Sequence, residues 1–345
     1  MLLRKGQEVA LTAVLAALLL TAATPSAGSA VVSGRCLGCK GIPFNLGELH
    51  FVSPAEGWSS AWYWPPGNGS GYSTLLHTTD GGRHWRRLPF VWQAGAEAGP
   101  PFSFADRNHG WVAWTKPQTG DSFLSTTSDG GRTWKHHPSP RLSALHFFDA
   151  KHGYSIDGTF FRTTADGGET WSREALPLSI VDRVSFADAR HGVIVGAGGV
   201  PEQKPKWDGV LRVLVTSDGG AHWTVAEEQP YAEPHAVEWI DSRTAFLVLA
   251  RMNDSGTRLL VTNDGGQSWK ASPGERKDIS AIAMAPDGRG FLFGEKTISA
   301  TADRGATWRV SSFPYAVTDC QFFNGKMRCS AGMKLLELNP PAAAP

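Results

Sequence analysis

An all-β fold is predicted for this 345-residue chain by three observations in its sequence. The first is composition. Its 39 glycines and 14 tryptophans, against 5 tyrosines, suit many short strands joined by tight turns and pinned by large rings. The second is a box that recurs six times. It reads "TTDGGRHW" ending at Trp85, "TSDGGRTW" at Trp134, "TADGGETW" at Trp171, "TSDGGAHW" at Trp223, "TNDGGQSW" at Trp269 and "TADRGATW" at Trp308. The third is a phrase upstream of each box: "FVSPAEGW" from Phe51, "FADRNHGW" from Phe104, "FFDAKHGY" from Phe147, "FADARHGV" from Phe186, "WIDSRTAF" from Trp239 and "MAPDGRGF" from Met284. A seventh, degenerate phrase starts at Phe322 with no box after it. The box aspartates, Asp80, Asp129, Asp166, Asp218, Asp264 and Asp303, are 37 to 52 residues apart. Repeats of that length indicate units that cannot bury their own faces and must stack on neighbours. Seven phrases predict a seven-bladed β-propeller of four-stranded antiparallel blades over residues 31–338, closed by N- and C-terminal strands.

In chain order, the first element is a targeting segment. Arg4 and Lys5 precede the apolar run "VALTAVLAALLLTAA", and small residues in "TPSAGSA" suit cleavage after about Ala30. The run is short for a membrane span of about 20 residues, so an exported chain is expected, periplasmic or extracellular. A retained N-terminal anchor is the alternative.

Each repeat then reads as four strands. An aromatic strand ends in the phrase's turn, and a second apolar strand follows. After a variable loop comes a third strand, and the box turns the chain into a fourth that begins at its tryptophan. The box glycines take positive φ cheaply. The aspartate can accept backbone N–H bonds across the loop, and the tryptophan can bury about 150–250 Å² against the adjoining sheet. Arg304 replaces a glycine in the sixth box and "WIDSRTAF" lacks the His-Gly pair, so blades five and six are expected to turn differently.

The chain ends on "CQFFNGKMRC" and a short tail, residues 339–345, expected to be disordered. A two-residue turn at Asn324-Gly325 places Cys320 opposite Cys329 in a non-hydrogen-bonded pair, whose Cα atoms approach to about 4.5 Å. That is within disulfide range, and the bond is predicted. Cys36 and Cys39, spaced C-x-x-C, can close a small loop of their own. With seven phrases and six boxes, blade seven is predicted to combine residues 318–338 with a strand from residues 31–48. All four cysteines then lie on the closing blade.

The S/T-x-D-G-G-x-T-W pattern resembles the Asp-box (BNR) repeat of sialidase-like propellers. With the upstream F-x-D-x-x-x-G-W phrase, the chain looks like the photosystem II stability/assembly factor family, over roughly residues 45–338. That resemblance implies a single seven-bladed propeller with an export signal that binds a protein partner, within a membrane complex, as a monomer. The sialidase-like superfamily also contains glycoside hydrolases and glycan binders, which makes these the alternative function. A sialidase would need an arginine triad, a tyrosine nucleophile and an early Arg-Ile-Pro element; here "GIPF" at Gly41 to Phe44 lacks the arginine. The loop acids Asp121, Asp208, Glu227, Glu228, Glu233 and Glu238 are available for a glycosidase pair, but spacing alone does not pair them.

No other chemistry is signalled. A net charge of +1 gives no reason to expect a nucleic-acid groove. His109, His152 and His191 fill one slot on three different blades, too far apart for a shared metal, and no cofactor loop is present. Binding is therefore expected on the irregular insertions. These are "SSAWYWPPGNGSGYS", "QAGAEAGPP", "TKPQTGDS", "GAGGVPEQKPKWDG" and "EEQPYAEPH", with Trp62, Trp64, Trp92, Trp207 and Tyr231 as contact aromatics.

Overall fold

The computed structural model describes residues 30–33, 35–37, 44–63, 72–92, 99–116, 119–198, 210–230, 232–251, 256–274, 276–277 and 279–342. They form seven sheets and, among the described residues, no helix. Blade 1 comprises Asn45–Phe51, Gly57–Tyr63, Tyr72–Thr78 and His84–Trp92. Blade 2 comprises Phe102–Phe104, Gly110–Thr115, Ser122–Thr127 and Lys135–Pro138. Blade 3 runs Ala144–Phe147, Gly153–Asp157, Phe160–Thr164 and Glu174–Ala175. Blade 4 runs Ile180–Phe186, Gly192–Ala197, Val210–Thr216 and Thr224–Pro230. Blade 5 holds Ala232–Trp239, Ala245–Arg251, Gly256–Thr262 and Lys270–Ala271, with Arg276–Lys277 as an extra edge. Blade 6 holds Ile279–Met284, Gly290–Gly294, Thr297–Thr301 and Arg309–Ser312. Blade 7 takes Asp319–Phe323, Lys326–Ala331 and Lys334–Leu338, and its outermost strand is Ala30–Ser33 from the N-terminus.

Closure therefore joins the two chain ends, Ala30 opposite Glu337 and Ser33 opposite Lys334. One detail differs from expectation. The N-terminal segment is not a single strand: Arg35–Leu37 leaves blade 7 and lies parallel to His84–Arg86 on the outer edge of blade 1. Residues from Asn45 onward form blade 1's own inner strand. Cys320 and Cys329 are cross-strand partners joined by a disulfide, with Cα atoms 4.1 Å apart. The turn between them has φ of 49° at Asn324 and 79° at Gly325, the double positive φ of a type I′ hairpin. The side chain of Cys36 and the whole of Cys39 lie outside the described residues. In the C-terminal tail, the Pro341 carbonyl accepts a hydrogen bond from Arg289 Nη1 at 3.0 Å.

The core is not one body. Seven apolar clusters each straddle one junction between adjacent blades. Each box tryptophan plugs the junction with the preceding blade: Trp85 meets Leu335 of blade 7, and Trp134 meets Leu88 of blade 1. The second box glycine makes that approach possible. At Gly220 an added Cβ would stand 2.1 Å from the Phe161 ring of the blade before. Blade 7 has no box, and its junction with blade 6 is filled by Phe293, Phe313, Val317 and Met327 instead.

Blade five turns like its siblings, whereas blade six does turn differently in its phrase, where Gly288 has a φ of 83° and its N–H donates to the Ala285 carbonyl at 2.8 Å. Asp241 accepts from the N–H groups of Arg243 and Thr244, as Asp106 does from Asn108 and His109 in blade 2. In the sixth box Arg304 takes a φ of 57°, and Thr301 and Asp303 make the bonds seen in the other boxes. Two compensations permit this. The slot held by Asn108 in blade 2 is Gly288 in blade 6, where a Cβ would stand 2.2 Å from Arg304 Cγ. Arg304 Nη1 also bonds Asp241 Oδ2 at 2.9 Å and Thr244 Oγ1 at 2.8 Å on blade 5. The "EEQPYAEPH" segment is not an insertion: Thr224–Pro230 and Ala232–Trp239 continue blade strands, with Glu228 opposite Arg212.

Candidate functional site

The six boxes build one face of the disc. In each, the threonine two residues before the aspartate donates to its Oδ1 and accepts from the second glycine's N–H, as Thr127 does with Asp129 and Gly131. Asp129 also accepts from the N–H groups of Arg132 and Thr133, each at 2.9 Å, and from Thr133 Oγ1 at 2.6 Å. In the first five boxes the first glycine's N–H reaches the phrase's turn in the same blade, as Gly130 does to Asn108 at 2.9 Å. Both turns therefore share this face. Hydrogen bonds from the side chain four residues on, then from the backbone, hold Asp129, Asp166, Asp218 and Asp264 down at about 2. Asp80 and Asp303 are lowered too, their hydrogen bonds outweighing burial. A proton donor at neutral pH needs the opposite perturbation, so these carboxylates are turn anchors. His109, His152 and His191 each bond the aspartate three residues earlier on their own turn. Among the described residues no three His, Cys, Asp or Glu side chains gather closely enough to hold a metal ion.

A second set of ionisable groups surrounds the axis, where the inner strands of successive blades meet. In four blades the residue before the phrase aromatic points to the next blade and caps an inner-strand N–H there. Ser103 Oγ accepts from Phe147, Ser185 Oγ from Trp239 and Glu238 Oε2 from Met284, each at 2.9 Å. Gln321 does the same for Phe51, and Asp319 Oδ2 accepts from Leu49 at 2.8 Å. Burial pushes Glu238 up to about 8, and Asp319 up to about 6. Glu48 touches solvent but is ringed by protein, and burial together with the Asp319 charge raises it to about 8. Burial also lowers His50 and His146 to about 4, their rings 6.4 Å apart. Burial around the axis thus opposes charge on both its acids and its imidazoles, and Asp319 is the acid least raised in value. The sequence carried a signal for this ring, since His50, Ser103, His146, Ser185, Glu238 and Gln321 all directly precede a phrase aromatic. Glu238, one of the acids nominated on loops, belongs here on an inner strand.

A cleft opens at the junction between blades 3 and 4. Its volume is about 750 Å³, with Phe148, Tyr154, Phe161 and Phe186 among its lining. Phe186 is only half-buried, whereas Phe51, Phe104 and Phe147 in the same slot are 2%, 1% and 2% exposed. The Val181–Arg183 bulge twists this inner strand, and Ile180 is left 52% exposed. His146 makes no cap to Phe186; it stacks on Tyr154 at 5.4 Å instead. Blade 3's phrase explains the aromatic lining, because Phe148 replaces the alanine of Ala105 and Ala187, and Tyr154 replaces Trp111. The polar lining includes Thr163 and Ser172, hydrogen-bonded at 2.6 Å, together with Glu174 and Asp218.

Of the nominated contact aromatics, Trp62 is half-buried at the end of its strand, with its ring against Gly47. Trp92 ends blade 1's outer strand, and its side chain lies outside the described residues. Trp64, Trp207 and Tyr231 also lie outside them. Trp62, the one of the five whose side chain is described, does not line the cleft.

No protein-family model matches the chain, and no curated protein matches it. Solved structures share its fold. A structure of YCF48 bound to D1 peptide is 16% identical, covers 91% of this chain and 97% of its own, and gives a TM-score of 0.64. YCF48 from Cyanidioschyzon merolae is likewise 16% identical, covering 87% and 96%, with a TM-score of 0.61. A GH74 xyloglucanase from Xanthomonas campestris is 14% identical, covering 88% of this chain and 52% of its own, with a TM-score of 0.53. At such identities the shared property is the propeller scaffold.

Proposed function

We propose that this chain is a non-catalytic propeller that holds a segment of a partner protein, acting as a scaffold or assembly factor outside the cytoplasm after export directed by residues 1–30. The observation that carries the proposal is the aromatic cleft at one blade junction, a preformed concave site on a rigid ring. A propeller of similar shape binding a peptide, as YCF48 does with D1 peptide, supports the same use here. The committed box aspartates support a binding role over acid–base chemistry. A protein segment within a membrane complex is the proposed partner, and a monomer the proposed state.

A photocrosslinking pull-down from membrane extract tests this. The expected result is one specific protein captured by the chain and lost on Phe148→Ala, a change to the residue that two sibling blades carry. A panel of fluorogenic glycosides is expected to show no turnover. Turnover abolished by replacing a single carboxylate would transfer the chain to the glycoside hydrolase reading.

A further inference from the structure

Strand register decides which side chains share the cleft. Phe161 pairs with Glu174 and Tyr154 with Thr163, and cross-strand partners project from the same side of a sheet. Phe161 and Tyr154 pack against Ile194, Leu214 and Phe186, so that side of blade 3 faces blade 4. Glu174 therefore projects toward the cleft from the outer edge of blade 3. It is exposed, and among the described residues it has no hydrogen-bond or ion-pair partner. Arg173 also lines the cleft, but its guanidinium lies 3.4 Å over the ring of Phe160, whose side chain alternates to the opposite side from Phe161. Asp218 adds a second carboxylate at the rim, ionised and held at about 2 by the His222 imidazole and by backbone N–H groups. His152 at the rim is bonded to Asp149 at 2.8 Å. The result is a floor of aromatic rings beside the unpaired Glu174 carboxylate.

Resting on the partner-binding function above, we propose that this cleft receives a lysine or arginine side chain from the partner's segment, with the apolar stem over Phe186 and Phe148 and the cationic head at Glu174. Aromatic faces attract cations through their quadrupole, and the effect strengthens as water is excluded. A basic side chain also supplies the aliphatic stem that such a floor covers. The charge is complementary in one direction only. An acidic segment would meet Glu174 and Asp218 with like sign.

The test uses the full chain and two labelled peptides, Gly-Leu-Phe-Arg-Leu-Gly and the same sequence with neutral citrulline in place of arginine, read by fluorescence polarisation. The arginine peptide is expected to bind at least about tenfold more tightly than the citrulline peptide. Glu174→Gln should remove most of that difference while leaving citrulline binding unchanged. Phe148→Ala should weaken both. Equal binding of the two peptides, preference for a glutamate version, or no saturable binding overturns the inference. In the extract pull-down, capture lost on Phe148→Ala but retained on Glu174→Gln would reject the basic head and keep the cleft as the protein site. Capture indifferent to both changes would reject both.

Discussion

Gly220→Ala is a one-methyl test of how the ring is held together. Gly220 is the second glycine of the fourth box and has a φ of 88°. An added Cβ would lie 2.1 Å from Phe161 Cε1 and 2.7 Å from Cδ1. Phe161 cannot retreat cheaply, being 1% exposed and lodged against Trp223 with ring centroids 5.1 Å apart. Positive φ costs alanine about 1–2 kcal/mol, and forced overpacking adds about 1–3 kcal/mol. The expected loss is thus about 3 kcal/mol. Gly158→Ala provides the control: φ there is 61° with nothing within 4 Å of the added Cβ, so it carries the backbone cost alone. Urea unfolding followed by tryptophan fluorescence, with the slope m unchanged, measures both. Equal losses in the two variants would show that the box glycine serves its own turn and not the junction.

Three further outcomes are expected. Gly288→Asn should destabilise the chain because its side chain meets Arg304 and its φ is 83°, and adding Arg304→Gly should recover the part due to the clash, giving a coupling of about 1–2 kcal/mol in a double-mutant cycle. Removing the Cys320–Cys329 bond, which spans 9 residues, should cost about 2–3 kcal/mol by loop entropy, seen as a lower urea midpoint for the double serine variant. The axial acids set a pH slope. Glu238 is raised from 4.5 to about 8, so between those values the native state keeps a proton that the unfolded chain has released. Stability must then fall as pH rises through that window, and Glu238→Gln should flatten the fall. An unchanged slope in that variant would remove Glu238 from the account.

The boxes and phrases made the blades legible because each is a local device, a turn with its own carboxylate and its own ring. The Cys320–Cys329 hairpin was legible for the same reason, since Asn324-Gly325 fixes its register. What repeat-by-repeat reasoning missed lies between one local device and another, within a blade or across a junction. Arg304 looked like a defect in one box, and the answering glycine, Gly288, stands in a different phrase of the same blade. Phe148 and Tyr154 read as ordinary variants of a phrase; only packing against blade 4 turns them into the lining of a cleft. The axial carboxylates were visible as residues but not as neighbours, because blades 5 and 7 bring Glu238 and Asp319 together from 81 positions apart (319 minus 238). The recess is edged by Glu174–Ala175, a two-residue outer strand that the phrase and box of its repeat do not announce.

The way the ring is fastened has a mechanical consequence. Ala30 lies opposite Glu337 in an antiparallel pair, so both chain ends leave the last blade at the same end of one short ladder. A pull between the two ends would load its hydrogen bonds singly, like the teeth of a zip, rather than together in shear. The propeller should therefore open at that seam under low force while the other six sheets stay folded.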